Sequence, residues 1–88
     1  MSTDAGLVEL GLRAGERVRF RRRDTGRWQQ AVVERREADG SVGLRDANGA
    51  ARAIPIERIE VRTAGPRGGA GWEPLAERAA RIEQLRLL

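Results

Sequence analysis

The sequence predicts a mainly β fold, a small five-stranded barrel followed by a C-terminal α-helix. Three observations predict it. Between Arg17 and Val61, apolar and charged residues alternate with period two in several short runs, as in strands with one buried face. The clusters Asp24-Thr25-Gly26, Glu37-Ala38-Asp39-Gly40 and Asn48-Gly49 separate these runs at hairpin spacing. From Leu75 onward the apolar spacing changes to that of a helix. The chain accordingly divides into an N-terminal segment (1–14), the barrel (15–62), a Gly-rich linker (63–71) and an amphipathic helix (72–88).

In the N-terminal segment, Leu7, Val8, Leu10 and Leu12 suit either a short strand or a single helical turn, and the pattern does not choose. Ala14-Gly15-Glu16 is a turn. The first strand starts at Arg17, with Val18 and Phe20 inward and Arg17, Arg19 and Arg21 outward. The second spans 28–35 with Ala31 and Val33 inward. The third carries Val42 and Leu44. A four-residue loop at Glu37–Gly40 sets Val33 opposite Leu44 and Arg35 opposite Val42, which keeps the apolar residues on one face. Asn48-Gly49 is the strongest hairpin signal, because both residues tolerate positive φ.

Two registers compete at this last hairpin. A two-residue turn faces Arg45 with Arg52, setting like charges together. A turn with a glycine bulge faces Val42 with Ile54 and is preferred, because it buries Ile54. Pro55 cannot donate to a ladder and ends the fourth strand. Ile56-Glu57-Arg58 suits one tight helical turn, and Ile59 and Val61 alternate in the fifth strand.

Beyond the barrel, GPRGGAG is expected to be a flexible linker. Pro74 suits the first position of a helix. Trp72, Leu75, Ala79, Ile82 and Leu85 make its candidate partner-binding face, and Leu87-Leu88 ends the chain. Glu77 precedes Arg81 by four, a pair worth ~0.3 kcal/mol. A helix of about 14 residues is marginal alone in water, so its stripe must meet the barrel, another copy or a partner.

Residues 15–62 resemble the SH3-like barrel, and within it the Tudor/agenet-like branch. The carriers are GERVRF (15–20), GRWQQAVV (26–33), DGSVGLRD (39–46) and IPIERIEV (54–61). The isoleucine–proline–turn–isoleucine order is similar to the end of an SH3 domain, where a 3-10 turn precedes the last strand. The resemblance implies a binding module for peptides, methylated side chains or nucleic acid, and leaves function to be argued from a site. A methyl-lysine or methyl-arginine cage needs three or four converging aromatic rings. Only Trp28, Trp72 and Phe20 are aromatic, and Phe20 belongs to the core. The RNA-binding KOW signature is only partly matched, because the glycine it expects near Gln29 or Gln30 is missing.

Composition narrows the chemistry. The 88 residues include no His, Cys, Tyr or Lys, and all 17 basic residues are arginine. With 11 glycines and abundant alanine, this is the coding bias expected of a high-GC bacterial genome. The nucleophile–base pairings of covalent catalysis have no histidine or lysine to serve as base, so an enzyme is not expected. No cofactor, no metal and no small-molecule substrate is expected either. Asp24, Asp39 and Asp46 sit in turns, where their side chains bond local amides. GPRGGAG lacks the strand context and the lysine of a P-loop. No run approaches the apolar length of a membrane span, and MSTDAG has no signal-peptide layout, so a cytoplasmic protein is expected.

The net charge of +4 is unevenly placed. Residues 13–27 hold seven arginines against Glu16 and Asp24, a net of +5, while 28–88 hold ten arginines against nine acids, a net of +1. Arg17, Arg19 and Arg21 repeat every ~6.6–6.8 Å along one strand face. Arg22, Arg23 and Arg27 crown the adjoining loop, and Trp28 opens the partner strand. These seven residues are the candidate nucleic-acid site, with Trp28 stacking a base or else carrying Arg21 on its ring. Glu34 on the next strand is expected to neutralise one arginine. Nonspecific nucleic-acid binding is the leading function. The alternative is a protein–protein adapter that uses the barrel edge and the C-terminal helix, including self-association.

Overall fold

Asp4 opens the first element of the computed structural model, which describes residues 4–64 and 69–86. Its carboxylate accepts from the Leu7 amide at 3.2 Å and caps α1 (Ala5–Glu9), so the helical turn is formed rather than the strand. The other carboxylate oxygen accepts from the Arg36 amide at 2.9 Å, and Arg36 Nη1 returns a bond to the Gly6 carbonyl at 2.8 Å. A Cβ on Gly6 would lie 2.6 Å from Arg36 Cγ, so this docking requires glycine. Gly11 then reverses the chain with φ +72°, and Leu7, Leu10 and Leu12 enter the core.

The strands follow as β1 (Arg17–Phe20), β2 (Gln29–Arg36), β3 (Val42–Asp46), β4 (Ala51–Ile54), β5 (Ile59–Ala64) and β6 (Ala70–Pro74). A 3-10 turn at Ile56–Arg58 precedes β5. All pairings are antiparallel, in the order β4-β3-β2-β1-β5-β6. The parity of the inner face is as expected. Val18, Phe20, Ala31, Val33, Val42, Leu44, Ile54, Ile59 and Val61 are buried. Val42 faces Ile54, the register that buries the isoleucine, and Gly49 takes φ +81° in the turn. Val33 faces Leu44, but a bulge between Val33 and Arg35 shifts the pairs beyond it. Arg35 meets Gly43, and Val42 meets Arg36 rather than Arg35.

The tail departs most from expectation. The sheet has six strands, not five, and it is not closed into a barrel: β4 and β6 are its edges. The span expected to be linker contains the end of β5 and the start of β6, with 65–68 outside the described residues. Trp72 and Pro74 belong to β6, and α2 runs Leu75–Arg86. Pro74 is tolerated because it is the last residue of an edge strand. The strand is masked in the sequence because its parity is inverted. Trp72 faces out beside Arg62, while Glu73 meets Arg78 and Arg81 of α2.

Helix α2 covers the inner face where closure would have done so. Leu75 is 0% exposed, and Ala79 packs on the core. Arg78 Nη1 donates to the Gly11 carbonyl (3.1 Å) and to Glu16 (2.9 Å), and its Nη2 donates to the Arg62 carbonyl (2.9 Å). Arg81 makes a bidentate pair with Glu73 at 2.8 Å, in place of the expected Glu77 pairing. This pair holds the Glu73 carboxyl below its usual range and pushes the Arg81 guanidinium up. Of the three ways to cover the helix stripe, the chain's own sheet takes the Leu75 end.

Candidate nucleic-acid interface

The outer face of β1 presents Arg17 and Arg19, with Arg21 one position beyond the strand end. Phe20 pairs with Gln29, so Trp28 stands across from Arg21. The guanidinium carbons of Arg19 and Arg21 each lie 4.6 Å from the centroid of the Trp28 ring. Arg19 also lies 4.8 Å from the Trp72 ring, and Arg62 lies 5.6 Å from it. The result is a row, Arg21–Trp28–Arg19–Trp72–Arg62, in which cations and indoles alternate. Each contact of this kind is worth about 0.5–1 kcal/mol where solvent reaches it. Trp28 thus carries guanidinium, one of the two roles expected of it, and it carries two.

Glu60 sits opposite Arg19 in the β1–β5 register. It accepts from Arg19 Nε at 2.8 Å and again from Nη2. Arg19 is therefore the one arginine of the outer β1 row whose charge is cancelled. Glu34, expected to do this, instead pairs with Arg45 at 2.8 Å and stands 3.8 Å from Arg35, because it lies on the β3 side of β2. Among the described residues, Arg17, Arg21, Arg22, Arg23, Arg27 and Arg62 have no carboxylate within ion-pair distance.

The loop that carries Arg22, Arg23 and Arg27 is tied to the 3-10 turn. The Arg21 amide donates to the Arg58 carbonyl (3.1 Å), and Arg58 Nη1 donates to the Arg22 carbonyl (2.6 Å). Asp24 is solvent-exposed and 3.6 Å from Arg58. All three loop arginines are exposed. A guanidinium resting on a ring uses its face and keeps its N–H donors in its plane, but Arg19 spends two of them on Glu60 and the Arg21 Nε–H is buried, so the exposed loop arginines are the donors open to phosphate oxygens. The site can therefore offer an anionic chain the exposed guanidiniums of Arg17 and of the loop.

The remaining candidates fall elsewhere. Trp72 is not on the helix; it joins the arginine row. Leu75 is in the core, Ile82 is half-buried above Gly11, and Leu85 is 69% exposed. Ala79 and Glu83 of α2 line a cleft with Glu9, Leu10 and Arg36. Asp39 and Asp46 bond local amides as expected, whereas exposed Asp24 faces Arg58 instead. Asp46 accepts from the Asn48 and Ala50 amides and from Arg52 at 2.7 Å, and the Arg52 bond leads in holding its carboxyl below the usual range. Asp39 is lowered by Ser41, and Asp4 chiefly by the Arg36 amide. No cluster of metal-ligating side chains occurs among the described residues, and no described helix is long and apolar enough to cross a membrane.

Sequence reasoning missed Trp72, Arg62 and Glu60 as members of this face. The alternation about Ile59 and Val61 carried the outward parity of Glu60 and Arg62. Nothing local signalled Trp72, which arrives through the β5–β6 pairing of Arg62 with Trp72. No family model, curated protein or solved structure matches the chain.

Proposed function

We propose that the protein is a non-enzymatic binding module that holds nucleic acid, without sequence preference, against the outer face of β1 and the β1–β2 loop. The observation that carries the reading is the one-sided surplus of charge. Arg17, Arg21 and Arg62 lie on or beside the outer face of β1 and β5, Arg22, Arg23 and Arg27 are exposed on the adjoining loop, and none has a carboxylate partner among the described residues. Elsewhere, Arg45, Arg52, Arg78 and Arg81 are paired with acids of the same chain. Charge left unpaired on one face is what a polyanion recognises. The Asp39 and Asp46 carboxylates are bonded within their own turns.

The fold we propose for this module is the Tudor/agenet-like branch of the SH3-like type. The strand order β4-β3-β2-β1-β5 and the 3-10 turn before β5 support it. The sixth strand and the open sheet are this chain's departures from that plan.

Titration of labelled oligonucleotides tests the function. Dissociation constants of about 10⁻⁴–10⁻⁶ M are expected, rising steeply with salt. Arg17→Glu with Arg23→Glu, both exposed and without an acidic partner among the described residues, should abolish binding without unfolding the chain. Absence of binding at about 50 mM salt, or binding indifferent to that double substitution, refutes the reading.

A further inference from the structure

We propose that the nucleic acid held here is single-stranded, and that one base takes the seat of Arg21 on the Trp28 indole. The proposal rests on the nucleic-acid reading above and names the form of that ligand.

Two guanidiniums share Trp28 at the same 4.6 Å, but they are held unequally. Arg19 is anchored by two bonds to Glu60 and by a second indole, Trp72, at 4.8 Å. Among the described residues Arg21 has no carboxylate partner, and its Nε–H is buried with no acceptor. A buried donor without an acceptor is a standing cost, removed when the side chain swings into water or onto a phosphate. Displacing Arg21 therefore relieves an unmet hydrogen bond and gives up one cation–ring contact. Displacing Arg19 would break an ion pair and two ring contacts.

The vacated seat suits a base. Every nucleobase offers a flat π face, and stacking on tryptophan is tolerant of sequence. Trp28 is half-buried at the root of the loop bearing Arg22, Arg23 and Arg27, so phosphates flanking a stacked base lie within that loop's charge. The freed Arg21 guanidinium, with its in-plane donors, adds a further phosphate contact. A duplex keeps its bases stacked on one another and yields one only at the cost of unpairing. The seat thus selects single strands over duplex.

The test uses the full chain and three labelled oligonucleotides of equal length: a single strand, a duplex and an abasic single strand. The single strand should bind about tenfold more tightly than the abasic strand, the gain of one stacked base. It alone should quench indole emission, and the quenching should persist in Trp72→Phe, which retains a ring beside Arg19. Trp28→Ala should lower single-strand affinity to the abasic level. Equal affinity for single and abasic strands, with unchanged emission, overturns this inference and leaves the nucleic-acid reading standing. Preference for duplex overturns it likewise. No binding of any of the three at low salt overturns both. The wild-type comparison of single and abasic strands decides the matter even if Trp28→Ala does not fold.

Discussion

Arg17 and Arg19 are two positions apart on the outer face of β1. Their parity is the same and visible in the sequence, but their surroundings are not. Arg19 carries Glu60 and two indoles brought from β2 and β6, while Arg17 is exposed and has no acidic partner among the described residues. Arg19→Ala should therefore cost stability, about 1–2 kcal/mol from a part-buried ion pair and its ring contacts. Arg17→Ala should stay within about 0.5 kcal/mol of wild type. In oligonucleotide binding the order should invert: Arg17→Ala lowers the salt slope by about one unit, as loss of one phosphate contact does. Urea denaturation and salt-dependent titration of the two variants check both halves. Period two reports which way a side chain points. Whether a partner waits there depends on strands far along the chain, which is why Glu60 and Trp72 were not foreseen beside Arg19.

Elements joined by short turns were readable, because hairpin register follows from local chemistry. Asn48-Gly49 and the burial of Ile54 together select Val42 opposite Ile54. The bulge in β2 was not readable, since it answers a contact made elsewhere: the Arg36 amide is turned to Asp4. β6 is hidden in the sequence because five residues with Trp72 outward and Glu73 inward reverse the usual parity. The junction of α1 with α2 is equally hidden, and Gly11 is its tightest point. It has φ +72°, and a Cβ there would collide with Ile82 Cδ1. Gly11→Ala forces backbone strain and displaces the Ile82 side-chain end, so a loss of about 2 kcal/mol is expected. Gly15→Ala is the control. Gly15 also has positive φ (+91°), but a Cβ added there would meet nothing within 4 Å, so it carries the strain alone and should lose about half as much. Thermal melts of the two variants separate steric contact from backbone strain.

At the scale of the whole molecule, the inner face was legible and its closure was not. Parity tells which residues are buried but not whether β4 meets the far edge or a helix lies between. Here α1 supplies Leu7, the segment after it Leu10 and Leu12, and α2 Leu75 to the core, and the sheet stays open. The charge of the molecule is simpler to read. Every basic side chain is arginine, and His, Cys and Tyr are absent. The composition therefore holds no side-chain type that ordinarily titrates between about pH 6 and 9. Oligonucleotide affinity at fixed salt should be flat across that window, and a tenfold change within it would refute an arginine-only contact surface. Stability should be flat there too and fail on the acid side. Arg52, Ser41, the Arg36 amide and Arg81 hold Asp46, Asp39, Asp4 and Glu73 below their ordinary values in the fold. A carboxyl lowered in the native state adds stability above its unfolded value. That contribution disappears as pH falls through the native one. Denaturation midpoints should hold from about pH 6 to 9 and decline below about pH 4. Asp46→Asn removes one such carboxylate, so it should lower the neutral midpoint while shrinking the acid decline, and a variant whose acid decline matched wild type would show that Asp46 does not contribute to it.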